Sequence, residues 1–583
     1  MSPLDYSVVG FYLLAVMLAG VWLARRAAGG AEHYFLAGRN LPWWALGCSG
    51  MASNLDVAGT MTIVTLLTVY GLQGFFIEMR GGVVLPIAVF LAFMGKWHRR
   101  SGVMTTAEWM LLRFGEGRGG RLARATAAFT YVVITVAMIV FFLTAGGRFL
   151  AEFLPFSPAW CTAGMATVAL AYTLAGGLYG VIWTDVVQAV IIGAAAVYVS
   201  VVAAGQVTPE LLANWPGAEL NVLRPLASHP RLEPYNPFWL FLLVWAGKGV
   251  LEGLGGSGGS AYMAQRFYAA KNEADCRRIG MLWTVLFAAR WPMVLGFAIL
   301  AIAVGLDVRT LADAEGVLPR VLQSEFFPSG VRGLVIAAMM AAAMSTFDST
   351  INAGASYVVR DLFVPWWPGA SERALVLAGY GASALLVAVA VALTFGLGSS
   401  VLGIWVGIVM LLFPAFLVPF ALRWFWARFN GFGFAAGIVA GFAAAAWYAL
   451  VPVAGGNEAT RFLVIAGCSA AVSIVVTLCT APVPPLRLAR FYAITRPMGW
   501  WPREWRRADR AEHRADLALL ATALVWQVLT FLLPMAALLG MWTQAAPAAV
   551  LWLWLGWRVL RSGRRQSCSP GVPTSARRNL ESG

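Results

Sequence analysis

The chain has 583 residues, only 12% of them charged, and a mean hydropathy of +0.73. A soluble protein of this length would divide into several domains with polar surfaces, so the composition excludes an ordinary soluble protein. The net charge of +15 raises the question of nucleic acid. The basic residues cluster in alternate loops, however, which is a membrane-topology signal and predicts no nucleic-acid partner.

Apolar runs recur from one end of the chain to the other, each about 20 residues long, the length that an α-helix needs to cross a bilayer. They predict an all-α polytopic membrane protein with about fifteen transmembrane helices. The first run ends at Arg25–Arg26 without a small-residue cleavage site, so we expect no cleavable signal peptide. In chain order the predicted spans lie near 7–24, 43–70, 80–97, 122–147, 158–175, 179–204, 237–263, 280–304, 331–357, 374–395, 399–421, 432–451, 461–480, 515–537 and 543–559.

Alternate predicted loops carry 32 of the 42 Lys and Arg residues. The positive-inside rule makes that side cytoplasmic, which predicts a multi-pass protein of the plasma (inner) membrane with its N-terminus outside and its C-terminus inside. Anionic lipid is the expected partner of this charge. The longest basic loop is 481–514, and the polar residues 561–583 predict a disordered cytoplasmic tail.

Two predicted spans contain sequences that break helices. The second span holds Ser49–Gly59, and the seventh holds the glycine-rich run Gly253–Ser260. Backbone groups that are freed within a membrane are tolerated where they line a cavity or bind a ligand. The breaks lie five spans apart, so each begins a five-helix unit that inverts on repetition. Paired broken helices point to a transporter binding site at mid-membrane, although glycines also permit close helix packing.

Short motifs occur in a fixed order along the chain: Tyr34–Arg39 with Leu41–Trp44, Ala52–Asn54, Gly176–Tyr179 with Thr184, Asp185 and Gln188, Gln265–Arg266 with Ala270–Asn272, and Ala343–Thr346. Their order and spacing resemble those of the sodium–solute symporter family, whose members carry sugars, proline, vitamins and related solutes. The resemblance covers roughly residues 30–510. It implies a five-plus-five inverted repeat with broken first and sixth core helices, extra helices at both ends, and Gln265–Arg266 in the loop after the sixth.

This repeat implies a division of the chain into a first five-helix repeat and a second one, with additional segments before, between and after them. In order, the segments are an extra N-terminal helix with a cytoplasmic loop (1–42), the first repeat (43–205), an extracellular loop (206–236), the second repeat (237–421), peripheral C-terminal helices (422–560) and the tail (561–583).

A polar stripe lies on one face of the ninth predicted span, at helical spacing, and consists of Ala342, Ser345, Thr346, Ser349 and Asn352. Sodium is a hard cation that takes oxygen ligands, which hydroxyls and unwound carbonyls supply at low charge. These hydroxyls could instead bond carbonyls of the preceding turn. The sodium ligands that the resemblance implies are the carbonyls of Ala52, Leu55 and Ala342 and the hydroxyls of Ser345 and Thr346.

Ionisable residues within spans are costly, so each is a functional candidate. The resemblance places Asp185 near the sodium exit path and matches Glu78 to a glutamate of the substrate pocket, although Glu78 could instead bridge to Arg80. The full set in or at the edges of spans is Asp56, Glu78, Arg80, Asp185, Lys248, Glu252, Arg290 and Asp348.

The predicted substrate pocket departs from that of the family's sugar carriers. A histidine position of that branch is Gly59 here, and its sugar-stacking aromatic positions are Gly256 and Ser257. We therefore expect a polar, zwitterionic or carboxylated solute rather than a plain hexose; sugar, amino acid and carboxylate all stay open as classes. The predicted substrate residues are Asn54, Asp56, Glu78, Lys248, Glu252, Gly256 and Ser257.

Two of these substrate assignments have alternatives. Lys248 and Glu252 stand at i and i+4, so they could neutralise each other instead of contacting solute. Asp56 could contact a substrate amine, line the ion path, or pair with Lys248 or Arg290.

Sodium-coupled symport by alternating access is the predicted function, with sodium as coupling ion and no other cofactor. A proton-coupled symporter and a transporter-like membrane sensor are the alternatives. An enzyme is not expected, because the four histidines, His33, His98, His229 and His513, fall in predicted loops and leave no catalytic constellation within the membrane.

Overall fold

A computed structural model describes residues 1–27, 31–82, 84–215, 235–256, 261–306, 308, 311–397, 400–451 and 457–566. Over these ranges the chain is helical, and the only β-type contact is an isolated bridge between Trp426 and Trp500. Such an all-helical chain satisfies its backbone hydrogen bonds internally, as a lipid environment requires.

The first half of the chain forms these helices: α1 Pro3–Ala27, α2 Ala31–Leu36, α3 Trp43–Ala52, α4 Val57–Tyr70, α5 Leu72–Ile77, α6 Val84–Val89, α7 Gly95–Ser101, α8 Glu108–Phe114, α9 Arg118–Ala151, α10 Pro158–Ala204, α11 Pro209–Asn214, α12 Phe238–Leu254, α13 Ala261–Tyr268 and α14 Glu273–Phe287. The second half forms α15 Arg290–Ala303, α16 Leu311–Ala314, α17 Val317–Leu322, α18 Val331–Tyr357, α19 Val364–Trp366, α20 Glu372–Leu397, α21 Val401–Gly407, α22 Pro414–Phe425, α23 Gly431–Leu450, α24 Glu458–Cys479, α25 Pro485–Thr495, α26 Arg503–Ala508, α27 Arg510–Leu538 and α28 Trp542–Gln566. Short 3₁₀ and π turns join some of them: Ala37–Arg39, Glu78–Arg80, Phe90–Met94, Val358–Phe363 and Ile408–Leu412.

Within the described ranges, nine helices are long and apolar enough to cross a membrane, or twelve when three bent pairs each count as one span. The predicted count of fifteen is therefore not confirmed. Three predicted spans lie outside this set: 158–175, which precedes a kink at Gly177, 237–263, which is interrupted after Leu254, and 543–559. The last belongs to α28, which continues to Gln566, so the predicted tail begins as helix; residues 567–583 lie outside the described ranges.

Both predicted helix breaks are present. Helix α3 ends at Ala52 and α4 begins at Val57, with a bend of 53° between their axes. The Asp56 side chain caps α4 by accepting a hydrogen bond from the Gly59 amide. The second break separates α12 from α13, and Gly256 there has a φ of +69°, a left-handed conformation that glycine adopts at low cost.

The basic segments that were predicted to be cytoplasmic contact one another, so they lie at one end of the molecule. The contacts that join them are Arg39 to Gly102, Arg99 to Lys271, Arg100 to Glu273 and Glu512, and Arg124 to Asp361. Segments predicted to lie outside meet in the same way, through Ser2 with Ser329, Tyr6 with Phe153, and Arg148 with Glu315. The predicted loops thus separate into two ends, as the topology requires.

The N-terminal helix α1 packs against α10 and α18. Asp5 is fully buried, and its Oδ1 accepts hydrogen bonds from the amides of Gly330 and Gly333 at 2.8 and 2.9 Å. It therefore satisfies orphan amides at the start of α18. Further along α1, the Tyr12 hydroxyl accepts a hydrogen bond from Gln188 of α10 at 2.9 Å.

Candidate functional site

Asp185 of α10 is the centre of a fully buried polar network between the first helix break and α18. Its Oδ2 accepts a hydrogen bond from Ser49 at 2.5 Å and lies 3.4 Å from the Ser53 hydroxyl. Its Oδ1 accepts a hydrogen bond from Ser345 at 2.5 Å. Ser53 also meets Ser349 at 2.8 Å. Of the three serine hydroxyls around the Asp185 carboxylate, two thus belong to the first broken helix and one belongs to the polar stripe of α18.

Arg266 completes this network, and its position corrects the sequence-based prediction. Gln265 and Arg266 were predicted in a loop, but both lie on α13, and Arg266 is fully buried. Its Nη2 lies 2.9 Å from Ser49 Oγ, 3.0 Å from Ser53 Oγ, 2.5 Å from Ser349 Oγ and 3.5 Å from Asp185 Oδ2. A buried carboxylate is stabilised by such a partner, because removal of either charge would leave the other unpaired.

The residues predicted to bind sodium lie in the same region and are buried. Ala52, Leu55, Ala342, Ser345 and Thr346 each expose 1% or less of their surface. Thr346 donates to the Ala342 carbonyl at 3.0 Å, the local bond that was weighed as an alternative to ion binding. A hydroxyl that donates its single proton keeps its oxygen lone pairs. The oxygens of Ser345 and Thr346 are therefore chemically able to ligate a cation while these hydrogen bonds persist.

A small cavity of about 60 Å³ opens beside the first break. It brings together three carboxylates, one guanidinium and a set of aromatic walls that come from several helices. The lining residues are Asn54, Asp56, Gly59, Ile63, Glu78, Gly81, Gly82, Met138, Phe141, Glu252, Tyr262, Phe287, Arg290, Trp291, Trp405 and Phe413. Four of the predicted substrate residues, Asn54, Asp56, Glu78 and Glu252, thus border one space.

Glu78 is buried at the wall of this cavity. Its Oε1 accepts a hydrogen bond from the Trp405 indole at 3.0 Å, and its Oε2 has no hydrogen-bond partner among the described residues. The alternative bridge from Glu78 to Arg80 is not formed, because Arg80 pairs with Glu458 of α24 at 2.7 Å. Glu78 therefore has an acceptor oxygen available to a solute.

Arg290 occupies the space that the missing side chain of Gly59 leaves. A Cβ at position 59 would lie 2.8 Å from the Arg290 Nη2 and 3.2 Å from the Asp56 Oδ2. The guanidinium donates a hydrogen bond to the Asn54 carbonyl within the break, while the Asn54 side chain accepts one from Tyr262 at 3.2 Å. Asp56 lies near Arg290 and also lines the cavity.

Lys248 is not one of the residues that line the cavity, but the two groups it contacts, Glu252 and Phe413, both do. Its Nζ forms an ion pair with Glu252 Oε2 at 2.7 Å and lies 4.8 Å from the centre of the Phe413 ring. Both members of the pair are buried, so the lysine charge is compensated within one helical turn. The expectation of a charged solute relied on this lysine, whose charge is paired with Glu252 in this structure. Gly256 does not line the cavity, and Ser257 lies outside the described residues.

The second break is held by two residues that the sequence did not single out. His98 donates from Nε2 to the Gly256 carbonyl at 2.7 Å, and Arg423 donates to the Gly255 carbonyl at 3.0 Å. His98 and Arg423 are fully buried on α7 and α22, although both were predicted in loops. His513 also lies on a helix, α27. The sequence carried one clue to such residues: the backbone carbonyls at the end of a broken helix need hydrogen-bond donors, which side chains such as His98 and Arg423 can supply.

Comparisons with known proteins agree with this architecture. The family model described as "Sodium:solute symporter family" matches residues 34–441. The chain is 25% identical over 503 residues to a sodium/glucose cotransporter of Vibrio parahaemolyticus, covering 78% of this chain and 86% of that one. It is 27% identical over 483 residues to sodium/myo-inositol cotransporter 2 of Bos taurus, covering 75% and 68%.

Among solved structures, that of a sodium-coupled sialic acid symporter in a substrate-bound, outward-open state superposes with a TM-score of 0.65. It covers 83% of this chain and 99% of that chain, at 20% sequence identity. At this identity the likeness bears on the fold alone, and it agrees with a helical transporter architecture.

Proposed function

This chain belongs to the sodium:solute symporter family, and from that premise we propose that it imports a small polyhydroxylated solute together with sodium by alternating access. The family consists of transporters, which supports a non-enzymatic role. The observation that carries the proposal is the cavity beside the first helix break, which adjoins the buried network of Asp185, Ser345 and the break itself.

The proposed sodium site uses the carbonyls of Ala52, Leu55 and Ala342 and the hydroxyls of Ser345 and Thr346. In support of this proposal, Ser345 of α18 and Ser49 of the broken helix both donate hydrogen bonds to the Asp185 carboxylate. The two helices that would supply the sodium ligands are therefore held close to one carboxylate. An anionic neighbour in a low-dielectric interior strengthens the attraction for a cation. We propose that Asp185 lies on the ion's path.

The proposed solute class follows from the donors and acceptors of the cavity. Glu252 is compensated by Lys248, Asp56 lies near Arg290, and Glu78 keeps one unpaired oxygen. A neutral polyol satisfies these groups because each hydroxyl both donates and accepts, whereas an apolar solute would leave them unpaired at about 1–3 kcal/mol each. Phe141 and Trp405, whose rings stack on each other at 4.9 Å, form part of the aromatic lining of the cavity. The glucose and myo-inositol named for two relatives belong to this class.

The wider organisation is part of the same proposal. The repeats occupy 43–205 and 237–421, with extra segments 1–42 and 422–560, an outer loop 206–236 and the basic loop 481–514. The protein lies in the plasma (inner) membrane with its N-terminus outside and its C-terminus in the cytoplasm. Anionic lipid contacts the basic end.

Uptake into proteoliposomes tests this function. The purified chain is reconstituted and screened against labelled sugars, cyclitols, amino acids and carboxylates, with an inward gradient of sodium, of potassium, or of protons. We expect one polyol class to accumulate only with the sodium gradient. Accumulation driven equally by protons without sodium would favour the proton-coupled alternative, and sodium binding without uptake of any solute would favour a sensor.

A further inference from the structure

Helix α13 contacts the cavity and the Asp185 network with two residues one turn apart. Tyr262 lines the cavity and donates to Asn54 Oδ1 at 3.2 Å. Arg266 stands four residues later, on the same face of the helix, and its guanidinium reaches Ser49, Ser53 and the Asp185 carboxylate. One short helix therefore carries both a cavity residue and the cation of the buried network.

Arg266 also connects elements that are far apart in sequence. Beyond its own helix, where it contacts the Tyr262 carbonyl and Gln265, its described partners lie on the first broken helix, on α10 and on α18. Arg266 itself belongs to the segment that follows the second break. Its planar fork presents several donors in fixed directions, so a small shift of one partner changes its bonds to the others. Complete burial prevents water from replacing a lost partner.

The partners of Arg266 adjoin the proposed sodium ligands. Ser53 follows Ala52 directly in the sequence, and Ser349 lies one helical turn after Ser345. Asp185 is shared, because it accepts from Ser345 and forms an ion pair with Arg266 at 3.5 Å. A cation bound at Ser345 and Ala52 would draw on the negative charge of the same carboxylate that Arg266 neutralises.

We propose that Arg266 is the positioning residue that couples sodium occupancy to the second broken helix, and through Tyr262 to the solute cavity. The inference rests on the proposed sodium coupling. Sodium redistributes the bonds among Asp185, Ser53 and Ser349, the guanidinium shifts, and α13 shifts with it. Coupling of this kind is a free energy shared between two sites and is reciprocal, so loss of Arg266 weakens the link while leaving each site's own residues in place.

Hydrogen exchange of the purified chain, with sodium chloride against choline chloride as the only variable, tests the inference. In the wild type we expect sodium to slow exchange in two peptides, one covering the first break at 49–56 and one covering α13. In Arg266→Met the first peptide should still respond, and the sodium response of the α13 peptide should fall at least threefold. Arg266→Lys, which keeps the charge but loses the fork, should show an intermediate response.

Arg278→Met is the matched control, since Arg278 is exposed on α14, where it pairs with Asp275 at 3.3 Å and lies 5.9 Å from the centre of the Trp43 ring; it should respond as the wild type does. If Arg266→Met does not fold, Ser349→Ala removes one partner and should reduce the α13 response alone. An undiminished α13 response in these variants would overturn the inference, as would a wild type that responds at 49–56 but not at α13. A wild type with no response in either peptide would overturn the sodium-coupled function as well.

Discussion

At the scale of single residues, the hydroxyls of α18 offer the most direct test of the proposed ion site. Replacing Ser345 or Thr346 by Ala removes an oxygen ligand while the helix is retained. We expect sodium affinity to fall about tenfold, or ~1.4 kcal/mol, for either change, measured by sodium titration of uptake. Solute affinity should fall with it because the coupling is reciprocal.

The control for that measurement lies on the same helix. Ser356 is buried and its hydroxyl donates to the Ala353 carbonyl at 2.6 Å, so Ser356→Ala should preserve the sodium dependence of the wild type. Equal sodium dependence in Ser345→Ala, Thr346→Ala and the wild type would show that the ion binds elsewhere.

Gly59 and Arg290 allow a second test at this scale. A methyl group at position 59 would lie 2.8 Å from the Arg290 Nη2, closer than carbon and nitrogen normally approach, so the guanidinium must move away. We expect Gly59→Ala to weaken solute binding several-fold and to leave sodium affinity unchanged, as measured by competition uptake. Gly82→Ala is a suitable comparison, because an added Cβ there finds its nearest neighbour at an ordinary 3.5 Å. An equal loss of solute binding in both variants would show that displacement of Arg290 is not the cause.

Sequence reasoning reached some of these residues and missed others for a physical reason. Asp56, Glu78 and the Lys248–Glu252 pair were found because a charge within an apolar run is visible locally. Arg266 and Arg423 were assigned to loops because each lies near the end of an apolar run, where the positive-inside rule counts arginines as cytoplasmic. Their burial depends on partners such as Ser349, which is 83 residues away from Arg266.

At the scale of helices, we can measure how much the contacts at the C-terminal end of α12 contribute to the stability of the protein. Arg423 donates to the Gly255 carbonyl and stacks on the Trp109 ring at 4.5 Å. Arg423→Met keeps much of the volume but leaves this buried carbonyl without its donor. We expect a loss of about 1–3 kcal/mol, seen as a lower melting temperature in detergent.

Arg428 provides the comparison for Arg423, since its guanidinium also donates to backbone carbonyls, those of Leu478 and Thr480, but from a partly exposed position. Water can replace those bonds, so Arg428→Met should change the melting temperature much less. Similar changes in the two variants would mean that the second break does not depend on Arg423.

The broken helices themselves were predictable, and their exact packing was not. Glycine and Asp56 mark the interruptions because glycine weakens a helix and aspartate caps one. The three predicted spans that fail the length and hydropathy criteria do so at Gly177, at Leu254 and in α28, where kinks and charged turns shorten an apolar run. Hydropathy alone does not report such kinks, because they depend on backbone angles rather than on composition.

At the scale of the whole molecule, the separation of basic segments predicts which end faces the cytoplasm. A cysteine at position 506, on the exposed basic segment, should react with an impermeant reagent only after permeabilisation, while one at position 325 should react in intact cells. Both positions are exposed. Cys468 and Cys479 are exposed as well and must first be replaced. Labelling of position 506 in intact cells would contradict the predicted orientation and would mean that the basic end faces outside.

The buried Asp5 has a consequence for how far this protein can be reduced to a minimal core. Helix α1 lies outside the proposed ten-helix repeat, yet its carboxylate closes the first turn of α18, which bears the proposed sodium hydroxyls. A truncated version that starts at position 43 would keep every proposed ligand and lose this closure. A boundary at residue 43 therefore divides the sequence but not the structure, because the appended helix α1 is hydrogen-bonded to the start of the helix that carries the proposed ion ligands.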